Sequence, residues 1–431
     1  MDDLAGRAAF CIRSMKDEGL DRAECVLRAS RTHELNLDAG EISLLRTTED
    51  ISLSMTGILD GREGTTSINR TDDASILEAA AVTMLNACAS EPDTANDISP
   101  AQPPASFDKG PEEPDLETMY DRMREFLDRT RRAYPSLILE QVILDFTSVR
   151  KHYANSNGVD LASRRGFYSF SPMFTSKEGA DTSSFNYAGV SMSGLDRELH
   201  LYGTIDDRMR ESTEQVRSRE FSGKFTGDLL MTPECLEDFM DMTCMYLSDY
   251  PMIKGTSIFR DSLGTPVASP GLTVRSRPSW EGLAQGYFIT PDGFTAGDTT
   301  IIEDGVLRSF MLSLYGSNKT GKDRSASSGG ALVVEPGESS YRELVSSVKR
   351  GILICRFSGG MPSENGDFSG VAKNSYYMED GKIAYPVREV MVSGNLRSLL
   401  KEIRGISRER VDSGDSIMPW VLAGGVTVFG K

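Results

Sequence analysis

Apolar residues recur at helical spacing near the start of the chain and then give way to an alternating pattern. The helical stripe runs from Leu4 to Met15 and stops at Gly19, which predicts a helix over residues 3–18 with a glycine C-cap. Alternation of apolar and polar residues then predicts four strands, at 23–32, 41–48, 51–59 and 63–69. Asp60-Gly61 is typical of a hairpin turn between the last two strands.

A second helix and a change in composition follow this meander. Asp72 is a predicted N-cap for an apolar stripe from Ile76 to Cys88, so residues 1–90 are predicted to form an amino-terminal α+β unit. Residues 91–114 contain six prolines and almost no large apolar side chains. That composition predicts a solvated, proline-rich linker.

The remaining pattern predicts two further regions. An amphipathic helix from Leu116 ends before Pro135, and alternating strands follow, so residues 115–222 are predicted as a central α+β region that completes the amino-terminal half. Residues 223–431 hold many strands and few helices, with a capping box at Ser340 and Glu343. The predicted fold class is α+β: a mixed amino-terminal region of helix, antiparallel sheet and helix, followed by a β-rich carboxyl-terminal domain.

Composition and charge narrow the function classes. The chain has 431 residues and a formal net charge of −17, which argues against direct nucleic-acid binding because such binding depends on clustered Lys and Arg. The sequence has no run of about 18 apolar residues, so no membrane span is expected. The acidic first residues do not resemble a secretory signal. Six cysteines without a CxxC pattern predict reduced thiols and a cytoplasmic location.

The three histidines give little support for imidazole chemistry. His33-Glu34 begins no HExxH pattern, and His33, His152 and His200 are each predicted to lie at the surface or at the edge of a pocket rather than on a metal. A Ser-His-Asp triad stays open, because its members need not be adjacent in sequence. No GxSxG motif supports one.

The stretch "GSNKTGK" at 316–322 fits G-x-x-x-x-G-K. A phosphate-binding loop needs Ser or Thr next and a helix after it, whereas Asp323 follows here with a run of Ser and Gly. The stretch is therefore predicted to be a Gly/Ser-rich surface loop.

The segment "ECLEDFMDMTCMYLSDYPMIKGTS" from Glu234 to Ser257 raises the question of a metal site. At helical spacing, Leu236, Phe239 and Met240 share an apolar face, and Glu237, Asp238 and Asp241 share a polar one. An apolar stripe opposite a solvated one is typical of a helix packed on a core, where methionine is a flexible filler. Periodicity alone therefore favours a structural role.

Several longer segments, in this order and spacing, resemble the TldD/PmbA (TldD/TldE) family, and the likeness covers nearly the whole chain. They are "EISLLRTTEDISLSMTGILDGREGTTSIN", "YANSNGVDLASRRGFYSF", "KGTSIFRDSLG", "TTIIEDGVLRSFMLSLYGSNKTGKDRSASSGGA" and "NSYYMEDGKIAYPVREVMVSGNL".

The resemblance implies where a metal motif would lie. TldD-type members carry HExxxH shortly before the Lys-Gly-Thr-Ser turn, and counting back from that turn places its slots at Met240, Asp241 and Met245. Neither histidine is present, the glutamate is an aspartate, and the tail lacks the cysteine that completes the family's zinc site. The chain thus resembles the PmbA (TldE) side, with no catalytic or metal residue of its own and zinc expected in a TldD-type partner.

The resemblance also implies a function and its partners. The chain is expected to be a non-catalytic subunit of a two-component zinc metallopeptidase that cleaves unfolded peptides or leader peptides, as a heterodimer with a TldD-type HExxxH subunit or as a homodimer. An older family label is modulator of DNA gyrase. Two alternatives stay open: a self-associating peptide-binding scaffold without a protease partner, and a peptidase active alone through an unrecognised metal site.

Overall fold

The computed structural model describes residues 3–38 and 41–430. It confirms the α+β class, with 24% of residues in helices and 42% in strands. Every helix that it describes is too short or too polar to cross a membrane. The helices are α1 (Leu4–Asp17), α2 (Asp73–Ala89), α3 (Leu116–Ala133), α4 (Ile205–Gln215), α5 (Pro233–Tyr246), α6 (Asp249–Lys254), α7 (Leu314–Thr320), α8 (Tyr341–Ser347) and α9 (Leu396–Lys401), with a 3₁₀ helix at Leu199–Leu201.

The amino-terminal half is built on one sheet of long strands. Their order is β3-β2-β1-β5-β6-β4, and three short strands also pair with β6. The two segments predicted at 41–48 and 51–59 form one continuous strand, because the polar residues between them keep pairing with β1. The strands are β1 (Arg22–Asp38), β2 (Glu41–Leu59), β3 (Arg62–Ile68), β4 (Ala105–Lys109), β5 (Leu137–Asn155), β6 (Asp160–Glu178), β7 (Asp181–Thr182), β8 (Asn186–Tyr187) and β9 (Val190–Met192).

The predicted capping residues of the amino-terminal half lie where the sequence indicated. Gly19 has a φ of +99°, and Asp60 and Gly61 take positive φ in the β2–β3 turn. The Asp72 side chain accepts a hydrogen bond from the backbone N–H of Ser75 and so caps α2. The first helix, the hairpin and the second helix are thereby confirmed.

The proline-rich stretch differs from the predicted solvated linker. Residues 105–109 form β4, which pairs in parallel with β6. Ile98 and Ser99 are buried, and the Gln102 side chain donates a hydrogen bond to the carbonyl of Gly293, 2.9 Å away. Because backbone pairing needs no apolar side chain, composition gave no sign of this strand.

The carboxyl-terminal half is a second, larger sheet. Its central strand, β22, pairs with β10, β14, β20 and β21, and α5 packs on it over the largest apolar core. The strands are β10 (Gly223–Met231), β11 (Val274–Ser276), β12 (Thr299–Glu303), β13 (Val306–Leu307), β14 (Leu332–Val334), β15 (Arg350–Ile354), β16 (Arg356–Gly359), β17 (Asp367–Lys373), β18 (Ser375–Glu379), β19 (Lys382–Val387), β20 (Val390–Asn395), β21 (Ile403–Asp412) and β22 (Ile417–Gly430).

Two local predictions in this half have opposite outcomes. The capping box is confirmed, because Ser340 and Glu343 exchange hydrogen bonds between side chains and backbone. The surface loop predicted over 316–322 is wrong, because α7 runs to Thr320 and ends at Gly321 in the left-handed conformation. The glycine ends a helix here instead of preceding one, so the segment lacks the geometry of a phosphate-binding loop.

Candidate functional site

The polar face of α5 borders a cleft of about 480 Å³, which we call the acidic cleft. The opposite face of the helix is buried, with Leu236, Phe239 and Met240 in the core, as the periodicity predicted. The carboxylates on the cleft side are those of Glu234, Glu237, Asp238 and Asp241, and Asp415 faces them from the turn between β21 and β22.

Both halves of the chain contribute walls to this cleft. Ser169 and Ser171 of β6 and the segment 186–191 come from the amino-terminal half, whereas Cys355, Arg356 and Ser413 come from the other half. Gln285 links the two halves of the chain at this cleft. Its side chain donates to the Ser191 hydroxyl at 2.6 Å, and its backbone N–H donates to the Gly414 carbonyl at 2.6 Å.

A buried ionic cluster supports the beginning of α5. The guanidinium of Arg208 donates to Glu211 at 2.7 Å and to Glu234 at 3.1 Å, and the Thr204 hydroxyl also donates to Glu234. Burial opposes the charge on Arg208, but the two carboxylates hold its pKa above the usual range. Such a pair is costly to break on one side, so the cluster fixes α5 against α4.

Burial and mutual repulsion set the electrostatics of the acidic cleft. Burial, with Asp415 nearby, raises the pKa of Glu237 to about 7. Burial and then repulsion from Asp241 raise the pKa of Asp238 to about 6. Burial and then repulsion from Asp415 raise the pKa of Asp241. Near neutral pH the cleft therefore carries a negative charge that changes with small shifts in pH.

The structure separates the three residues predicted as counterparts of the zinc motif. Met240 is buried in the core, and Met245 is half-buried and packs against the same core. Asp241 alone lines the acidic cleft, beside Glu237 and Asp415. The cleft thus brings Asp241 together with carboxylates, and the assignment of the three residues as motif counterparts stays a prediction.

The histidines lie away from this cleft, on β1, on β5 and in the 3₁₀ helix. His152 and His200 are buried, contrary to the prediction of a surface or pocket-edge position, and each ring lies close to a carboxylate. His152 Nε2 is 3.1 Å from Asp160 and His200 Nε2 is 3.2 Å from Glu198. His33 is buried as well and lines a different cavity.

The residues at the acidic cleft do not fit the zinc ion that the family resemblance implies. Zinc in enzymes is held by converging imidazole, thiolate and carboxylate groups. The cleft offers carboxylates and the Cys355 thiol, whose pKa burial and Glu211 raise, so the thiol keeps its proton. Over residues 3–38 and 41–430, no group of three or more His, Cys, Asp or Glu side chains is placed to hold a metal.

The sequence showed part of this site and missed the rest. The acids of α5 were visible at positions 237, 238 and 241, but their spacing was interpreted as a solvated face. A helix face toward water and a helix face toward a wide polar cleft have the same pattern. Arg208, Gln285 and Asp415 carried no local signal, because only the tertiary fold brings them to α5.

Three sequence profiles match the chain in order. They are described as the PmbA/TldA metallopeptidase domain 1, central domain and C-terminal domain, and they match residues 23–87, 109–213 and 223–430. A protein named "Metalloprotease" from Methanothermobacter thermautotrophicus is 29% identical over 201 residues, which make up 44% of each chain. The chain spans about half the length of the curated relatives it matches.

Two solved structures share the fold over almost the whole chain. TldE from Thermococcus kodakarensis superposes with a TM-score of 0.84 at 17% identity, over 98% of this chain and 100% of that one. A putative modulator of DNA gyrase from Bacteroides thetaiotaomicron superposes with a TM-score of 0.86 at 19% identity, over 100% of both chains. At these identities the likeness shows a common fold.

Proposed function

Since the chain belongs to the PmbA/TldA metallopeptidase family, we propose that it is a non-catalytic, PmbA (TldE)-type subunit of a two-component zinc metallopeptidase. The assembled enzyme cleaves unfolded peptides or leader peptides in the cytoplasm. In this assembly a TldD-type HExxxH subunit holds the zinc, and this chain contributes to binding the peptide.

The observation that carries the proposal is the chemistry of α5 at the acidic cleft. Its cleft side presents Glu237, Asp238 and Asp241, and its core side buries Met240. A peptidase zinc site uses imidazoles and leaves one position open for water. With all three histidines placed on amino-terminal elements outside the cleft, the donors for that site come from the partner.

The shape and charge of the acidic cleft support a role in peptide binding. Its volume of about 480 Å³ accommodates a few residues of an extended chain, and its walls come from both halves of the molecule. The carboxylates favour an amino-terminal ammonium group or a basic side chain. The net charge of −17 favours contacts with peptides and proteins over contacts with DNA.

Co-expression with an HExxxH relative from the same genome tests the proposal. We expect the two chains to purify together and to cleave an unfolded peptide, and we expect a chelator to abolish the cleavage. Replacing the glutamate of the partner's HExxxH should abolish turnover, whereas Asp241→Asn in this chain should leave turnover measurable. That contrast assigns the chemistry to the partner.

Two results would favour the alternatives. Chelator-sensitive cleavage by this chain alone, with one tightly held zinc per chain, would indicate a peptidase active by itself. Stable self-association and peptide binding, together with no association with any HExxxH relative, would indicate a scaffold without a protease partner. Either result would contradict the proposed subunit.

A further inference from the structure

Four cationic side chains lie side by side on one face of the amino-terminal sheet. Arg28 of β1 is directly opposite Lys151 of β5, and Lys109 of β4 is directly opposite Arg165 of β6. Lys151 faces Ser163, two residues before Arg165, so all four side chains project from the same face. They occupy the four consecutive strands β1, β5, β6 and β4, and we call them the cation row.

The cation row lacks carboxylate partners at ion-pair distance. Lys109 Nζ donates to the Trp280 carbonyl at 2.6 Å, and Lys151 Nζ donates to the Ile289 carbonyl at 3.3 Å. Arg165 lies 5.2 Å from the centre of the Phe167 ring, and Arg28 donates to the Ser30 hydroxyl at 3.2 Å. Within the described part of the chain, no carboxylate lies within 4.0 Å of any member.

Two carboxylates lie beyond ion-pair distance from the cation row and still favour its charged forms. The charge of Glu281 raises the pKa of Lys109, and the charge of Glu24 raises the pKa of Lys151, each against the larger effect of burial. Glu24 accepts a hydrogen bond from the Tyr153 hydroxyl at 2.5 Å, and burial raises its pKa to about 7, so it is only partly charged at neutral pH. These two groups leave most of the positive charge uncompensated.

Like charges on facing strands repel each other. Burial and neighbouring cations lower the pKa values of Lys109, Lys151 and Arg165, and for both lysines the neighbouring cation is Arg165. Lys109, Lys151 and Arg165 are half-buried and Arg28 is exposed, and holding these like charges together without a carboxylate at ion-pair distance carries a cost in the free protein. An anion bound among them removes that cost.

The cation row and the acidic cleft lie on the same face of β6. Arg165 and Ser169 are four residues apart on that strand and project the same way, which places them roughly 13 Å apart. Segment 280–289 of the carboxyl-terminal half contacts both the acidic cleft and the cation row. Gln285 bonds to Ser191 at the cleft. The carbonyls of Trp280 and Ile289 accept hydrogen bonds from the two lysines of the cation row. About four residues of extended peptide reach from one place to the other.

We propose that the cation row binds a carboxylate of a peptide whose opposite end lies in the acidic cleft, an inference that rests on the proposed peptide-binding function. Lysine and arginine N–H groups are the natural donors to a carboxylate, and the acids of α5 suit the ammonium group at the other end. Opposite charges at the two ends set the direction in which the peptide lies. A longer polyanion such as a nucleic acid is repelled by the remaining surface.

Calorimetric titration of the full-length chain tests the inference. The probes are three heptapeptides with free amino termini and otherwise the same neutral sequence: one with a free carboxyl terminus, one amidated, and one amidated with a terminal glutamate. We expect the first to bind at least 10-fold tighter than the plain amide. The glutamate amide separates the two carboxylate sources, because tight binding of it shows that a side-chain carboxylate also serves.

The acid-to-amide ratio is the affinity for the free-carboxyl heptapeptide divided by the affinity for the plain amidated one. The double variant Lys151→Gln/Arg165→Gln should reduce this ratio to about one and leave the affinity for the plain amide unchanged. Lys224→Gln/Lys382→Gln is the matched control, because it removes two exposed lysines and changes the net charge equally. If the double variant melts at a lower temperature than wild type, Lys151→Gln alone replaces it, with an expected loss of at least threefold in the ratio.

Three results would overturn the inference. The first is equal affinity of the wild-type chain for the free-carboxyl and amidated heptapeptides, which would leave the proposed peptide binding intact. The second is a preference for the free carboxyl terminus that is unchanged in the double variant. No binding of any heptapeptide would contradict the proposed peptide-binding function together with this inference.

Discussion

Glu237 lines the acidic cleft with its carboxyl group partly withdrawn from water, and burial raises its pKa to about 7. Between the ordinary glutamate pKa and pH 7 the unfolded chain releases a proton that the folded chain keeps. Stability is therefore lost as pH rises through this window. Asp238, whose pKa is about 6, has the same effect in a weaker form, because the residue is exposed.

Glu237→Gln should for this reason stabilise the fold at pH 8 and have little effect at pH 4.5. We expect a gain of about 1–2 kcal/mol at pH 8, since one pKa unit corresponds to about 1.4 kcal/mol and partial exposure weakens the effect. Chemical denaturation at both pH values measures it. Glu338→Gln, at an exposed position, is the control. An equal gain at pH 4.5 and pH 8 would show that charge at Glu237 is not the cause.

Met240 and Met245 test which side of α5 supports the core. Met240→Ala should cost about 2–4 kcal/mol of unfolding free energy, because the side chain is 2% exposed and its removal leaves a cavity. Met245→Ala should cost about 1 kcal/mol, because Met245 only packs against the edge of the same core. Equal losses in denaturant titrations would mean that Met245 supports the core as much as Met240 does.

At the residue scale the sequence predicted burial better than it predicted the site. The apolar stripe of α5 identified Leu236, Phe239 and Met240 correctly, because a 3.6-residue period is a local property. His200 was predicted near the surface and is buried, in a 3₁₀ helix that contacts α3 and α4. Period alone cannot reveal which distant groups reach a helix face.

At the scale of elements, α2 and β3 approach each other so closely that only glycine fits between them. A Cβ atom on Gly64 would lie 2.2 Å from the Thr83 carbonyl oxygen and 2.3 Å from the Ala87 backbone nitrogen. Both contacts are to the backbone of α2, which cannot move aside as a side chain can. The packing distance between helix and sheet depends on this one position.

Gly64→Ala should therefore destabilise the fold by about 1–3 kcal/mol, the usual range for overpacking. Gly194→Ala is the control, since a Cβ there meets nothing within 4 Å, and its effect should stay within about 0.5 kcal/mol. Thermal or denaturant unfolding compares the two. A small loss at Gly64 would show that α2 can shift away from the sheet.

Element boundaries were predicted where a residue enforces them. Gly19, Asp60-Gly61 and Asp72 end or begin elements through their own backbone or side-chain chemistry, and these ends were confirmed. The strand β4 was missed because its pairing with β6 is a long-range backbone contact. The division of the chain at 90, 114 and 222 stays a prediction.

At the scale of the whole molecule, residues 93–109 tie the two halves together. Asp93 accepts hydrogen bonds from the Lys319 ammonium at 2.6 Å and from the Tyr315 hydroxyl at 2.9 Å. The hydrogen bond from Lys319 is the main cause that lowers the pKa of Asp93 to about 2. Ionised Asp93 therefore contributes stability to the fold above the ordinary aspartate pKa, and this contribution is lost as the pH falls toward 2.

Asp93→Asn should loosen this tie at pH 7. We expect about threefold faster cleavage within residues 91–114 by a protease of broad specificity, because local opening of a segment exposes its backbone. Mass spectrometry of the fragments locates the cuts. Glu91→Gln, an exposed neighbour, is the control. Unchanged cleavage in Asp93→Asn would show that other contacts, such as that of Gln102 with Gly293, hold the segment without it.

The central place of β22 has a consequence for synthesis on the ribosome. β10 pairs on one side with β15 at Asp228↔Gly351 and on the other side with β22 from Gly223↔Gly430 onward, so the first strand of the second sheet lacks its β22 neighbour until roughly 200 further residues have been made. At a translation rate of about 5–20 residues per second, that delay is roughly 10–40 s. During this interval the nascent chain presents the apolar strand β10 and the apolar face of α5 without their cover. Chaperones that bind exposed apolar segments therefore have a long period in which to act on this protein before its second sheet can close.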